Sequence, residues 1–176
     1  MRNYVVGLVG QRKADRYKIA EHLHKHKHFE IDILHEPGLL ALVVLGADNV
    51  EAVTNLARGH EIEIAGHKVN YKALYFSFFE IFGRQSMGFN LWLALAEQRW
   101  KKLQGKTIVV PDIETPDEAE QILNLGGEIL WLRSTMPTIH PEQDWSDFAT
   151  AIVDANQDYQ HLYRDIHNLW PDDTTH

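Results

Sequence analysis

Apolar and polar positions along this chain switch repeatedly between two periods. Tyr4-Val5-Val6-Gly7-Leu8-Val9 is an unbroken apolar run closed by Gly10, the pattern of a strand buried on both faces. From Asp15 to about His26 the spacing turns helical, with Tyr17, Ala20 and Leu23 on one side. Leu39 to Leu45 is a second apolar run, bounded by Pro37-Gly38 and Gly46, and fits a strand or a buried helical turn equally well. Asn49 to Arg58 has helical spacing and stops at Gly59. Glu61-Ile62-Glu63-Ile64 alternates strictly, and Val69 and Tyr71 alternate again after Ala65-Gly66-His67, which predicts a β-hairpin. Tyr71, Tyr75, Phe78, Phe79 and Phe82 stand at i, i+4, i+7, i+8 and i+11. That is a helical stripe, more often core packing than a base-stacking pocket. Asn90 caps a further helix through Leu103.

The last third is sharper. Thr107-Ile108-Val109-Val110 is a strand stopped by Pro111. Thr115-Pro116-Asp117-Glu118 combines a capping threonine, proline at the first helical position and glutamate two residues later, the signature of a helix start. That helix ends near Leu125, and Glu128 to Leu132 is the next strand. Trp145 to Leu169 is expected to hold one or two helices, with Trp145, Tyr159, Tyr163 and Trp170 as their packing. Strands alternating with helices predict an α/β fold with a mostly parallel central sheet covered on both faces. The expectation is one domain over residues 1–176, with an inserted segment around 37–72.

Composition narrows the partners. The formal charge of −8 disfavours broad binding to nucleic acid or to an anionic membrane. With no cysteine, disulfides, thiolate metal sites and cysteine nucleophiles are excluded, which fits a reducing cytoplasm. Met1-Arg2-Asn3-Tyr4 leads into an apolar run too short for a secretory signal, and no run approaches the roughly 18 residues of a membrane span. The expectation is a cytoplasmic protein.

Candidate chemistry centres on the turn after the first strand. A phosphate loop follows G-x-x-x-x-G-K-[ST] between a strand and a helix, where free helix N–H groups favour anions. Here the positions read Gly10-Gln11-Arg12-Lys13-Ala14-Asp15-Arg16-Tyr17, followed by Lys18. The spacing holds. Asp15 replaces the second glycine and brings bulk and negative charge, Arg16 replaces lysine, and Tyr17 replaces the hydroxyl that holds Mg²⁺. Arg12, Lys13, Arg16 and Lys18 keep the loop basic. The plainer alternative is an ordinary strand-to-helix turn with a solvated charged face. In His22-Leu23-His24-Lys25-His26-Lys27-His28, His22 and His26 share a helix face, as a metal pair would. Interleaved lysines oppose a cation, and the pattern suits a solvated helix C-terminus better. Asp112 and Glu114 stand two apart after a strand, without a basic partner that would make them an acid/base pair.

Several motifs, in order, resemble the phage-type deoxynucleoside monophosphate kinases. Gly7-Leu8-Val9-Gly10 and Lys18-Ile19-Ala20-Glu21-His22-Leu23 resemble the opening strand, loop and helix of that family. Phe82-Gly83-Arg84 with Asn90-Leu91-Trp92 resembles its G-R motif and the tryptophan that opens the next helix. Val109 to Ala119 resembles its strand ending in D-x-R-x-x-N-E-A. Gly126-Gly127 before a strand ending at Arg133, His140-Pro141-Glu142 and Asn156 follow in family order. The resemblance implies a three-layer P-loop kinase-like fold. It implies a nucleotide-binding set of Gly10, Arg12, Lys13, Arg16, Lys18, Arg84, Asp112 and Arg133. In an active enzyme Arg16, Arg84 and Asp112 would carry phosphoryl transfer, with ATP and Mg²⁺ as cofactors. Arg84, Asp112 and Glu118 remain, whereas the arginine of D-x-R is Glu114, a reversed charge. Phosphoryl transfer depends on positioning and charge stabilisation. Losing the loop glycine, lysine and hydroxyl together with one arginine therefore implies a degenerate relative. Such a protein would bind a nucleotide, another phosphorylated ligand or a protein partner, and a homodimer fits as well. The alternative is an active kinase with an atypical loop. A phage origin would place either in the host cytoplasm.

Overall fold

The computed structural model describes residues 3–10, 13–44, 61–64, 67–87, 90–135 and 143–170. The chain divides into two compact units, residues 1–33 with 99–176, and residues 34–98.

The first unit is an α/β sandwich. Its strands are β1 (Tyr4–Val9), β2 (Glu30–Ile31), β5 (Thr107–Val110), β6 (Glu128–Arg133) and β7 (Ala151–Asp154). They form one parallel sheet in the order β2-β5-β1-β6-β7. β1 is central and pairs Val5 with Ile108 on one side and Gly7 with Ile129 on the other. Its side chains are buried on both faces of the sheet, which is why its apolar run is continuous rather than alternating.

Helices cover both faces. Helix α1 (Lys13–Lys27) buries Ile19, Ala20 and Leu23, and the C-terminal helix α6 (Tyr159–Leu169) buries Leu162 and Ile166. These pack with Val6, Leu8, Val109, Leu130, Leu132 and Val153 into one core. The opposite face takes helix α5 (Pro116–Asn124), whose Ile122 meets Ile113 and Ile129 over Gly7. The capping box expected at Thr115 is present: Glu118 N–H donates to Thr115 Oγ1, and Glu118 Oε2 accepts from the Thr115 N–H at 3.1 Å. The result is the expected three-layer α/β arrangement with a parallel central sheet.

Two strands differ from expectation. β7 lies inside Trp145–Leu169, where only helices were expected. Its four residues are too few to display a period, and its exposure pattern is that of an edge strand. What fixes it is pairing with β6, from Leu130 with Ala151 to Arg133 with Asp154. β2 is only two residues and is held by β5, with the Asp32 N–H donating to the Val109 carbonyl at 3.0 Å. Just beyond it, Arg99 donates two parallel bonds to the Asp32 carboxylate, each 2.8 Å, and Trp100 Nε1 adds a third at 2.8 Å.

The second unit contains α2 (Glu36–Val44), the hairpin β3 (Glu61–Ile64) and β4 (His67–Asn70), α3 (Tyr71–Phe76) and a π-helical continuation over Ser77–Ser86. α4 (Leu91–Trp100) starts here and ends in the first unit. The ambiguous run Leu39–Leu45 is helical up to Val44, and the expected antiparallel hairpin is present, pairing Ile62 with Val69, but Tyr71 opens α3 instead of continuing the second strand. The aromatic stripe is helical, but only part of it is core: Phe79 is fully buried, whereas Phe82 is 43% exposed. Gly83 lets the Trp92 indole lie against the helix backbone, and Trp92 Nε1 donates to the Phe79 carbonyl at 3.1 Å. The expected helix Asn49–Arg58 lies outside the described residues, as does much of the segment 37–72.

Candidate functional site

Adjacent strands β1 and β5 send their chains to opposite faces of the sheet, β1 into α1 and β5 into α5. The crevice between the carboxyl ends of such strands is where open α/β sheets bind ligands. Gly10 ends β1 there, and Asp112 follows β5. Gly10 has φ +131, and a Cβ at this position would overlap the Leu132 carbonyl oxygen. Only glycine suits both conditions.

Asp15 and Arg16, in the first turn of α1, are buried. Arg12 lies outside the described residues, and Lys13 opens α1. Asp15, in the first turn of α1, is 2% exposed. The Tyr159 hydroxyl donates to its Oδ1 at 2.7 Å. Lys18 Nζ donates to the same hydroxyl at 3.0 Å, and this bond pushes the lysine pKa up. Asp15, Tyr159 and Lys18 therefore form a chain in which the phenol sits between a carboxylate and an ammonium.

Arg16 is 6% exposed, and its Nη1 donates to the Ile113 carbonyl at 2.6 Å. The bond joins the helix after β1 to the segment after β5. Arg16 Nε is buried without a hydrogen-bond partner among the described residues. Burial lowers the guanidinium pKa, opposed by the negative charges of Glu114 and Asp112 and, more weakly, by Tyr17 and Glu118. Asp112 and Glu118 are themselves buried. Glu118 is held by its cap, accepting from the Glu114 N–H at 2.9 Å. Tyr17 is raised well above the ordinary phenol range, first by burial and then by Asp112. Arg16 is thus buried beside negative charge and bonded to the segment after β5.

Arg84 and Arg133 are the remaining described residues of the expected set. Arg84 belongs to the second unit, where Nη1 pairs with Glu80 and Nη2 contacts His35 Nε2 at 2.8 Å. Arginine only donates, so His35 accepts there and carries its proton on Nδ1. Arg133 ends β6, is exposed, and lies 5.9 Å from the Trp131 ring. Asn156, from the late family motif, accepts at Oδ1 from Ser134 Oγ and Thr135 N–H, both at 3.1 Å, beside the end of β6. His140-Pro141-Glu142 lies outside the described residues. Among the described residues no group of three His, Cys, Asp or Glu side chains is arranged to hold a metal ion. No described helix is long and apolar enough to cross a membrane.

Sequence reasoning treated Tyr159 as packing. Asp158 marks the start of α6 by accepting from the His161 N–H at 3.0 Å, so the helix itself was findable. Nothing local connects Tyr159 to Asp15, 144 positions earlier.

No family model and no curated protein matches this sequence. Among solved structures, the chain is similar to the Cys556Ala mutant of the Mycobacterium tuberculosis APS kinase CysC, at 12% identity and a TM-score of 0.43. The match covers 96% of this chain and 98% of that one. Likeness at this level identifies neither a family nor an activity.

Proposed function

We propose that this chain is a degenerate relative of the deoxynucleoside monophosphate kinases, a phosphate-ligand-binding module without ordinary ATP-dependent phosphoryl transfer. The observation that carries this reading is the inward turn of Arg16 onto the Ile113 carbonyl. A magnesium triphosphate does not fit these residues. At the glycine position the Asp15 carboxylate is buried and bonded to Tyr159, a like charge where phosphate would approach. At the lysine position the cation is engaged with a carbonyl and acidic neighbours. At the hydroxyl position Tyr17 offers a phenol held protonated by burial. No transfer step is therefore assigned to these groups.

What remains suits a smaller anion. Gly10 keeps its positive φ at the end of β1, α1 begins at Lys13, and Arg133 is exposed at the end of β6. A deoxynucleoside monophosphate is the ligand favoured by the family motifs. A second reading, an active kinase with an altered loop, draws on the same Gly10 turn and on Asp112 at the end of β5.

The full chain, incubated with ATP, Mg²⁺ and each deoxynucleoside monophosphate in turn, separates the two. The proposal expects no phosphoryl transfer, with a rise in melting temperature for at least one monophosphate. Robust transfer to any of them favours the active kinase. Neither transfer nor a thermal shift leaves a platform for protein partners.

A further inference from the structure

Helices α1 and α6 lie side by side through a row of polar rings and amines above their apolar core. Residues four apart on each helix share a face. On α1 the row is Lys18, His22 and His26; on α6 it is Tyr159, Tyr163 and His167. Lys18 Nζ meets the Tyr159 hydroxyl at 3.0 Å. The His22 ring stacks on Tyr163, with centroids 4.1 Å apart and planes within 2°. His22 and His26 stand 4.5 Å apart, centroid to centroid. At the far end Lys27 Nζ contacts His167 Nε2 at 3.1 Å.

The last contact depends on protonation. Lysine has only donors, so His167 must accept at Nε2, which an imidazolium cannot do. His22 differs in kind: its contact across the helices is a ring stack, and the charges around it oppose a proton. A proton on it would set a cation against His26, Lys25 and Lys27, with His167 opposite. Burial first, then His26 and His167, and then Lys25 and Lys27, hold its pKa below the ordinary histidine value.

Negative groups act at the other end of the row. Asp15 acts on Lys18 and Tyr163, and Glu21 acts on Tyr163. Beneath the row the packing is apolar, through Ile19, Leu23, Leu162, Ile166 and Trp170. Tyr4 packs there too, with its phenol engaged by Glu128 of β6 and Trp170.

We propose that α6 is a strap held on α1 by neutral imidazoles, and that mild acid releases it, withdrawing Tyr159 from Asp15 and Lys18. A base whose folded pKa is depressed contributes stability that is full above its unfolded pKa, about 6.5 for histidine, and is lost as pH falls through the folded value. Acidification therefore loosens the strap, and the chain at the phosphate-loop turn loses its phenol.

Amide hydrogen exchange on the full chain tests this at about pH 7.5 and about pH 5.5, after correction for intrinsic exchange rates. Exchange in α6 is expected to speed up several-fold on acidification relative to β1 and β6. A His22→Phe/His167→Gln double variant keeps a stacked ring and an acceptor for Lys27 without titrating, and is expected to lose that response. Protection of α6 that is unchanged by pH, or a double variant that keeps the full acid response, overturns the proposal. If the variant does not fold, side-chain NMR titration of the unaltered chain decides. A His22 midpoint below that of free histidine supports the strap, and one at or above it overturns it.

Discussion

Arg16 Nη1 lies 2.6 Å from the carbonyl oxygen of Ile113, so the first helix is bonded directly to the segment that follows the neighbouring strand. An arginine in a phosphate loop would direct its charge toward a ligand. Here it is buried, donates to the Ile113 carbonyl and lies near carboxylates. Arg16→Ala removes the bond to the Ile113 carbonyl and the positive charge near buried Asp112 and Glu118, and is expected to cost about 1–3 kcal/mol of unfolding free energy. Urea unfolding measures it. A variant as stable as the parent, but altered in ligand binding, would return Arg16 to the loop.

Tyr159→Phe deletes a single oxygen that both donates to Asp15 and accepts from Lys18. The ring can still pack, while buried Asp15 loses a bond from its Oδ1. A loss of about 1–3 kcal/mol is expected, readable by thermal or denaturant unfolding. Lys18→Ala removes only an exposed member of the chain, and should cost much less.

Gly10→Ala combines a positive φ with overlap onto the Leu132 carbonyl oxygen. The backbone term alone is about 1–3 kcal/mol, and the overlap adds to it by forcing β1 and β6 apart. A melting temperature unchanged by this substitution would contradict the geometry of the turn.

Thr115→Ala removes the side-chain oxygen that caps α5. About 1 kcal/mol of stability should be lost, as for other capping residues. Glu118→Gln keeps a side-chain acceptor for the Glu114 and Thr115 N–H groups but removes a charge beside Arg16. Comparing the two variants separates the contribution of the cap from that of the charge balance.

Features set by neighbouring residues were legible in the sequence. The continuous run Tyr4–Val9 marked a buried strand, and Thr115 with Pro116 and Glu118 marked a helix start, because strand burial and capping are written in residues close together. β7 was not legible: four residues carry no period, and only pairing with β6 makes them a strand. The loop substitutions were visible, and so was the basic character of the turn. Their destinations were not. Whether Arg16 points to a ligand or to Ile113, 97 positions away, depends on which strands lie side by side. Asp15 looked like a defect in a phosphate loop, and the structure gives it a partner in Tyr159 from the far end of the chain.

Thermal unfolding of the full chain with increasing ATP, with and without Mg²⁺, tests the central claim most directly. A ligand that binds only the folded state at about 100 times its dissociation constant adds about 2.7 kcal/mol, enough to move a melting temperature by several degrees. With Asp15 and Arg16 turned inward, no Mg²⁺-dependent rise is expected at millimolar ATP. A saturable rise that requires both ATP and Mg²⁺ would contradict the account.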